Sequence, residues 1–204
     1  MLGFARRDSI TRSTRWLPAL LISGLLGTTS SAWSDLAQPG PFAPGIRQVT
    51  VTRPNGSTFT ATLHYPATSA GTNAPFDASE APCPGITFGH GFLQPVTQYA
   101  STLSHLATHG FLVIASQSEG GLFPNHANFA SDLRSCLTWL ETQTASPTSE
   151  FFGAVNTAAF GASGHSMGGG ASILATKDDP RIKALAPTAA ADTSPSSIAA
   201  MNFV

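Results

Sequence analysis

The stretch TAAFGASGHSMGGGASILATK, residues 157–177, decides how this chain is read. Residues 157–162 read as a strand and residues 167–177 as a helix. The join between them is Gly164-His165-Ser166-Met167-Gly168, a match to G-x-S-x-G. The bare pattern also arises by chance, so its setting carries the argument. A strand runs in, a helix runs out, and small residues crowd the turn, as a nucleophile elbow requires. The reason is steric. A serine on a strained strand-to-helix turn leaves no room for bulky neighbours, and Gly164 and Gly168 remove that conflict. The hydroxyl of Ser166 then stands at the carboxyl edge of a sheet. The helix N-terminus beneath it favours a developing negative charge. The plainer alternative is a glycine-rich turn with a bystander serine.

A serine that attacks an acyl carbon also needs donors for the oxyanion. One is expected from the backbone N–H of Met167, directly after the nucleophile. The other is expected from the loop after an earlier core strand. Residues 85–88 form such an apolar strand and lead into Gly89-His90-Gly91-Phe92. The second donor is therefore the N–H of Phe92, whose ring would wall an acyl pocket.

Working outward, the remaining segments alternate. Residues 48–53 and 58–65 read as strands joined by the turn Pro54-Asn55-Gly56, a hairpin in which Asn-Gly supplies positive φ cheaply. Residues 35–47 read as an extended lead-in and 66–84 as a surface loop. Tyr99, Leu103, Leu106 and Ala107 share one helical face, and Gly110 stops that helix. Residues 111–115 form an apolar strand of the kind buried on both sides of a parallel sheet. Residues 117–128 read as a polar, glycine-rich loop. Phe129, Leu133, Cys136, Leu137 and Leu140 mark a second helical stripe, 142–156 a loop, and 182–186 a last strand ahead of which Asp178-Asp179-Pro180 breaks the elbow helix. The order is hairpin, then β-α-β-α-β-α-β. It predicts an α/β fold: a mostly parallel, doubly wound sheet with an antiparallel N-terminal hairpin.

Composition limits the function classes. Apolar residues make up 42% and charged residues 10%, which fits a globular domain and not a disordered chain. The net charge is −1 with no basic patch, which argues against nucleic acid as a partner. Residues 1–34 read as a signal peptide: Arg6, Arg7, Arg12 and Arg15, then an apolar run over 16–26, then Ser30-Ser31-Ala32. The run is too short to span a bilayer core of about 30 Å. An uncleaved N-terminal anchor is the alternative. Residues 35–204 are then a single secreted or periplasmic domain, expected to be monomeric. Export permits a Cys83–Cys136 bridge; one buried and one semi-buried thiol is the alternative. Two cysteines are too few for a zinc site, and no metal or organic cofactor is implied.

The segments around Phe92 and Ser166, with their spacing, resemble the bacterial polyester-hydrolase and cutinase-like family, and also plant chlorophyllases. The likeness runs from about Gly40 to the end. It is carried by Pro41-Phe42, residues 49–54, Tyr65-Pro66, His90-Gly91-Phe92, residues 107–111, residues 164–170 and Leu185-Ala186-Pro187. The resemblance implies an α/β-hydrolase fold and a serine carboxylester hydrolase acting on an ester substrate, lipid or polyester included. It carries over Ser166 as nucleophile and Phe92 and Met167 as oxyanion donors. Two positions depart from the family. Polyester hydrolases have an aromatic, usually tyrosine, where Phe92 stands. They also carry a substrate-packing tryptophan after the next strand, where this chain reads Ala189-Ala190-Ala191-Asp192. Phe92-Leu93 looks more like chlorophyllase.

In such folds the triad runs serine, acid, histidine along the chain. The six histidines all precede Ser166, so the triad histidine is absent from these 204 residues. His165 adjoins the nucleophile with its side chain expected to point away. His90 and His126 read as wall or surface residues. Asp192 is the one later carboxylate beyond the next strand and the minor candidate for the acid; the resemblance puts the acid one strand further on. The 204 residues therefore read as a fragment, or an early-ended frame, with the last strands missing and residues 201–204 approaching the next one. Two other classes stay open: a non-catalytic pseudoenzyme or binding scaffold, and an acyltransferase on the same fold.

Overall fold

The computed structural model describes residues 35–201. The signal-peptide reading of residues 1–34 lies outside the described residues, as do residues 202–204. In chain order the elements are β1 (Ala43–Thr52), β2 (Thr58–Ala67), β3 (Gly71–Thr72), β4 (Cys83–Gly89), a 3₁₀ turn (Val96–Tyr99), α1 (Ala100–Thr108), β5 (Leu112–Ser116), α2 (His126–Ala145), β6 (Val155–His165), α3 (Met167–Lys177), β7 (Ile182–Thr188) and α4 (Ser197–Ala200).

The sheet has seven strands in the order β3-β1-β2-β5-β4-β6-β7. β1 and β2 pair antiparallel across the Asn55-Gly56 turn, with Gly56 at φ +85°. β2 pairs antiparallel with β5, and β5, β4, β6 and β7 run parallel. Every residue of β5 is buried, as its unbroken apolar run demands. The helices divide between the faces, so two cores form. Leu103 of α1 packs with Phe88, Val113 and Ala115 on one side. The stripe from Phe129 to Leu140 of α2 and Ile173 of α3 pack with Leu63, Ile114 and Phe160 on the other.

Several boundaries differ from the sequence reading. β1 starts at Ala43, inside the expected lead-in, because Ala43 to Thr52 each find a partner on β2. β3 lies within the expected loop 66–84 and pairs with β1. α2 reaches Ala145, and its start is capped by the Asn125 side chain, which accepts from the N–H of Asn128 at 3.0 Å. β7 forms one edge of the sheet, and only Ile182 of its residues is buried. α4 follows Asp192, and Met201 is a turn residue closing it. Cys83 and Cys136 are free and buried, so the bridge is not formed. Burial raises the pKa of both thiols. No helix of the described residues is long and apolar enough to cross a membrane.

His64 of β2 is buried beneath α1, where Nδ1 lies 3.1 Å from the Ser104 hydroxyl. Burial lowers its pKa from 6.5 to about 4. Above pH 6.5 neither the folded nor the unfolded chain protonates this ring, and its full contribution is present. As pH falls from 6.5 toward 4, the unfolded chain takes up a proton that the native site refuses. The resulting loss is about 3 kcal/mol, complete near the folded pKa. Urea midpoints at pH 7 and pH 4.5 should therefore fall further for the wild type than for His64→Leu. Equal falls would show that His64 carries no such linkage.

Candidate active site

Ser166 follows β6 directly and precedes α3, at φ 53° and ψ −117°. No L-residue adopts that conformation without cost, so the surroundings must impose it. The N–H of Ser166 donates to the Thr188 carbonyl at 3.0 Å. Its own carbonyl accepts from Ala191 at 2.9 Å and Gly170 at 3.0 Å. The elbow is thus held by the exit of β7 and by the first turn of α3. The flanking glycines show why no other residue serves. A Cβ on Gly164 would overlap the Gly168 carbonyl, and one on Gly168 would overlap the Gly89 carbonyl. The elbow and the loop after β4 therefore touch backbone to backbone.

The loop after β4 carries Phe92, the expected second donor. His90 is buried, with Nδ1 2.9 Å from the Gly91 carbonyl and Nε2 2.8 Å from the Ser118 carbonyl. It ties the loop after β4 to the loop after β5 and does not line the cleft that holds Ser166. Phe92 reaches the same cleft as Ser166 and Met167. Among the described residues, the turn, loop and side-chain hydrogen bonds engage neither the Phe92 N–H nor the Met167 N–H. Both amides thus belong to residues that border the cleft with Ser166.

Backbone strain is concentrated here. Leu93, Glu119, Ser166 and Ala189 sit at φ 54°, 58°, 53° and 46°. They follow β4, β5, β6 and β7, one in each loop at the carboxyl ends of the four parallel strands. Left-handed φ in side-chain-bearing residues costs about 1–3 kcal/mol each and clusters where function fixes the backbone. The crevice beyond those strand ends is where open α/β sheets bind ligands.

The cleft measures about 530 Å³. It is lined by Phe92, Leu122, Phe123, Pro124, His126, Ser166, Met167, Ala191 and Asp192. Phe92 is 46% exposed, Leu122 68% and Phe123 96%. Apolar groups so exposed around one opening suit an apolar ligand. Asp192 borders the cleft, but its Oδ1 accepts from Thr193 N–H, the Ser196 and Ser197 hydroxyls and Ile198 N–H at 2.9–3.3 Å. The Ile198 N–H and the Ser196 hydroxyl hold its pKa below the usual carboxylate value. Its carboxylate thus anchors the start of α4. His126 accepts from the Ser194 N–H on Nδ1 at 3.0 Å. No hydrogen bond of the Ser166 hydroxyl forms among the described residues.

A family model described as PETase, PET hydrolase-like, matches residues 27–201. The chain belongs to the PET hydrolase-like family. No curated protein matches it. Among solved structures, a ferulic acid esterase from Streptomyces cinnamoneus is similar, at 19% identity and a TM-score of 0.57. That match covers 74% of this chain and 60% of the other, so the chain spans about 60% of that protein's length. The fold is that of an α/β hydrolase.

Within this PET hydrolase-like chain, the sequence reading named Phe92, Ser166, Met167 and Asp192, and all four border one cleft. It did not place Leu122 or Phe123 at the cleft, although Phe123 stands out in the polar, glycine-rich segment 117–128. Their apolar character was the available signal. It also missed the hydroxyl of Tyr99, read as one residue of an apolar stripe. That oxygen accepts from the Gly91 N–H at 2.9 Å and lies 2.9 Å from His165 Nδ1. His165 is accordingly turned toward Tyr99 and the loop after β4.

Proposed function

We propose that the protein is an exported serine carboxylester hydrolase, with Ser166 as nucleophile and the N–H groups of Phe92 and Met167 as oxyanion donors. The observation that carries this reading is the strained Ser166 in a cleft that it shares with Phe92 and Met167, whose N–H groups have no turn, loop or side-chain partner among the described residues. Family membership and the fold support hydrolysis of an ester. The leader pattern of residues 1–34 supports export.

In this reading the Ser166 oxygen attacks the ester carbonyl as its proton passes to a base. Charge collects on the carbonyl oxygen, where two amide donors stabilise it; each is worth about 2.7–4 kcal/mol. The alcohol leaves, and water releases the acyl group from Ser166. The base in this fold follows the serine in chain order, and residues 167–204 contain no histidine. The 204 residues alone are therefore expected to turn over esters slowly, from the oxyanion site and binding alone.

Exposed Phe92, Leu122 and Phe123 favour a bulky or water-insoluble ester. The small Ala191 also lines the cleft and leaves room there. A panel of p-nitrophenyl esters tests this, applied to the 204-residue chain and to a C-terminally extended frame. Turnover should be fast only in the extended form. Phe123→Ala should raise KM about tenfold for long or aryl acyl groups, from lost apolar contact, and leave acetate unchanged. No turnover by either form would refute the hydrolase reading. Full activity of the 204 residues would refute the need for a later base.

A further inference from the structure

We propose that Tyr99 is a positioning residue, one that fixes the spacing between the nucleophile and the oxyanion donor at Phe92. This rests on the hydrolase reading above. Tyr99 lies where the 3₁₀ turn passes into α1, with its ring packed 5.0 Å from that of Phe88. Its oxygen meets two groups from distant parts of the chain. Gly91, directly before Phe92, donates its N–H to the phenol oxygen at 2.9 Å. His165, directly before Ser166, presents Nδ1 to the same oxygen at 2.9 Å.

The donors and acceptors align in one direction. The phenol oxygen accepts from the amide, so its own proton is free for Nδ1 of an imidazole protonated on Nε2. Such a chain polarises each member and strengthens both bonds. The packing leaves little slack. A Cβ on Gly91 would lie 2.9 Å from His165 Nδ1 and 3.0 Å from the Tyr99 oxygen. Backbone, phenol and imidazole are therefore in contact. One oxygen on a helix start links the residue before the nucleophile to the residue before the donor. Neither Gly91 nor His165 faces substrate in this arrangement. The effect reaches the reacting atoms only through Phe92 and Ser166.

The role predicts a particular kinetic signature. Tyr99→Phe keeps the ring on Phe88 and removes only the oxygen. A donor moved by a fraction of an ångström binds the transition state less well and the ground state about equally. For the form that turns over ester, kcat should fall about tenfold with KM within twofold. The rate of Ser166 phosphonylation by a fluorophosphonate should fall in parallel, and the final labelling should still reach one adduct per chain. A purely structural role would instead lower the labelled fraction and leave the rate per folded molecule unchanged. His165→Leu cuts the other bond and serves where Tyr99→Phe folds poorly. Adding Tyr99→Phe to His165→Leu should cost less than twofold further. A Tyr99→Phe protein, or failing that a His165→Leu protein, that labels and turns over within twofold of wild type overturns the positioning role alone. A form with the later base that gives no Ser166 adduct overturns the hydrolase reading, and the positioning role with it.

Discussion

In the form that carries the later base, Ser166→Ala should reduce ester turnover at least about 10⁴-fold, because removal of the nucleophile leaves only binding and the oxyanion donors. The substitution keeps the Cβ and its strained φ of 53°, so the melting temperature should stay near that of the wild type. Ser166→Gly should be equally inactive but more stable. Glycine adopts positive φ freely, and relief of the strain is worth about 1–3 kcal/mol. The pair separates chemistry from backbone cost: two dead variants, with glycine melting higher. A Ser166→Ala protein that retains ordinary turnover would place the nucleophile elsewhere. A glycine variant melting lower than the alanine variant would contradict the strain.

Gly168→Ala should damage both fold and site with a single methyl. The new Cβ would overlap the carbonyl of Gly89 and lie 2.6 Å from the carbonyl oxygen of His90. Both obstacles are backbone, so no side chain can swing aside. Either α3 or the loop after β4 must move, and both carry site residues. Overpacking of this kind costs about 1–3 kcal/mol or more, and a shift of about 1 Å costs roughly 10²-fold in rate. Thermal melting and kcat should therefore fall together. Gly161→Ala is the control, since its Cβ would meet nothing closer than 3.6 Å. It should melt within a few degrees of wild type. Equal tolerance at both positions would mean that the elbow does not press on the loop after β4.

The elbow was legible from sequence because its physics is local. Strand, turn and helix adjoin, and the glycines that relieve the crowding sit in the motif itself. β5 was legible for a similar reason: a short apolar run can be buried on both faces only inside a parallel sheet. What escaped the reading depends on partners far along the chain. β1 begins at Ala43 because its pairing with β2 overrides a Pro- and Gly-rich composition. Leu122 and Phe123 fall in a loop whose direction is set by the exit of β5 and the Asn125 cap. Tyr99 fits an apolar stripe, while the bond to His165 spans 66 positions. The state of Cys83 and Cys136 likewise turned on a distance that spacing does not encode.

The most direct test of the central claim is a structure of the phosphonylated protein. The phosphorus should be bound to Ser166 Oγ, with one phosphonyl oxygen about 2.7–3.1 Å from the amide nitrogens of both Phe92 and Met167. An adduct on another residue would contradict the account, and so would a Ser166 adduct whose oxygens point away from both amides.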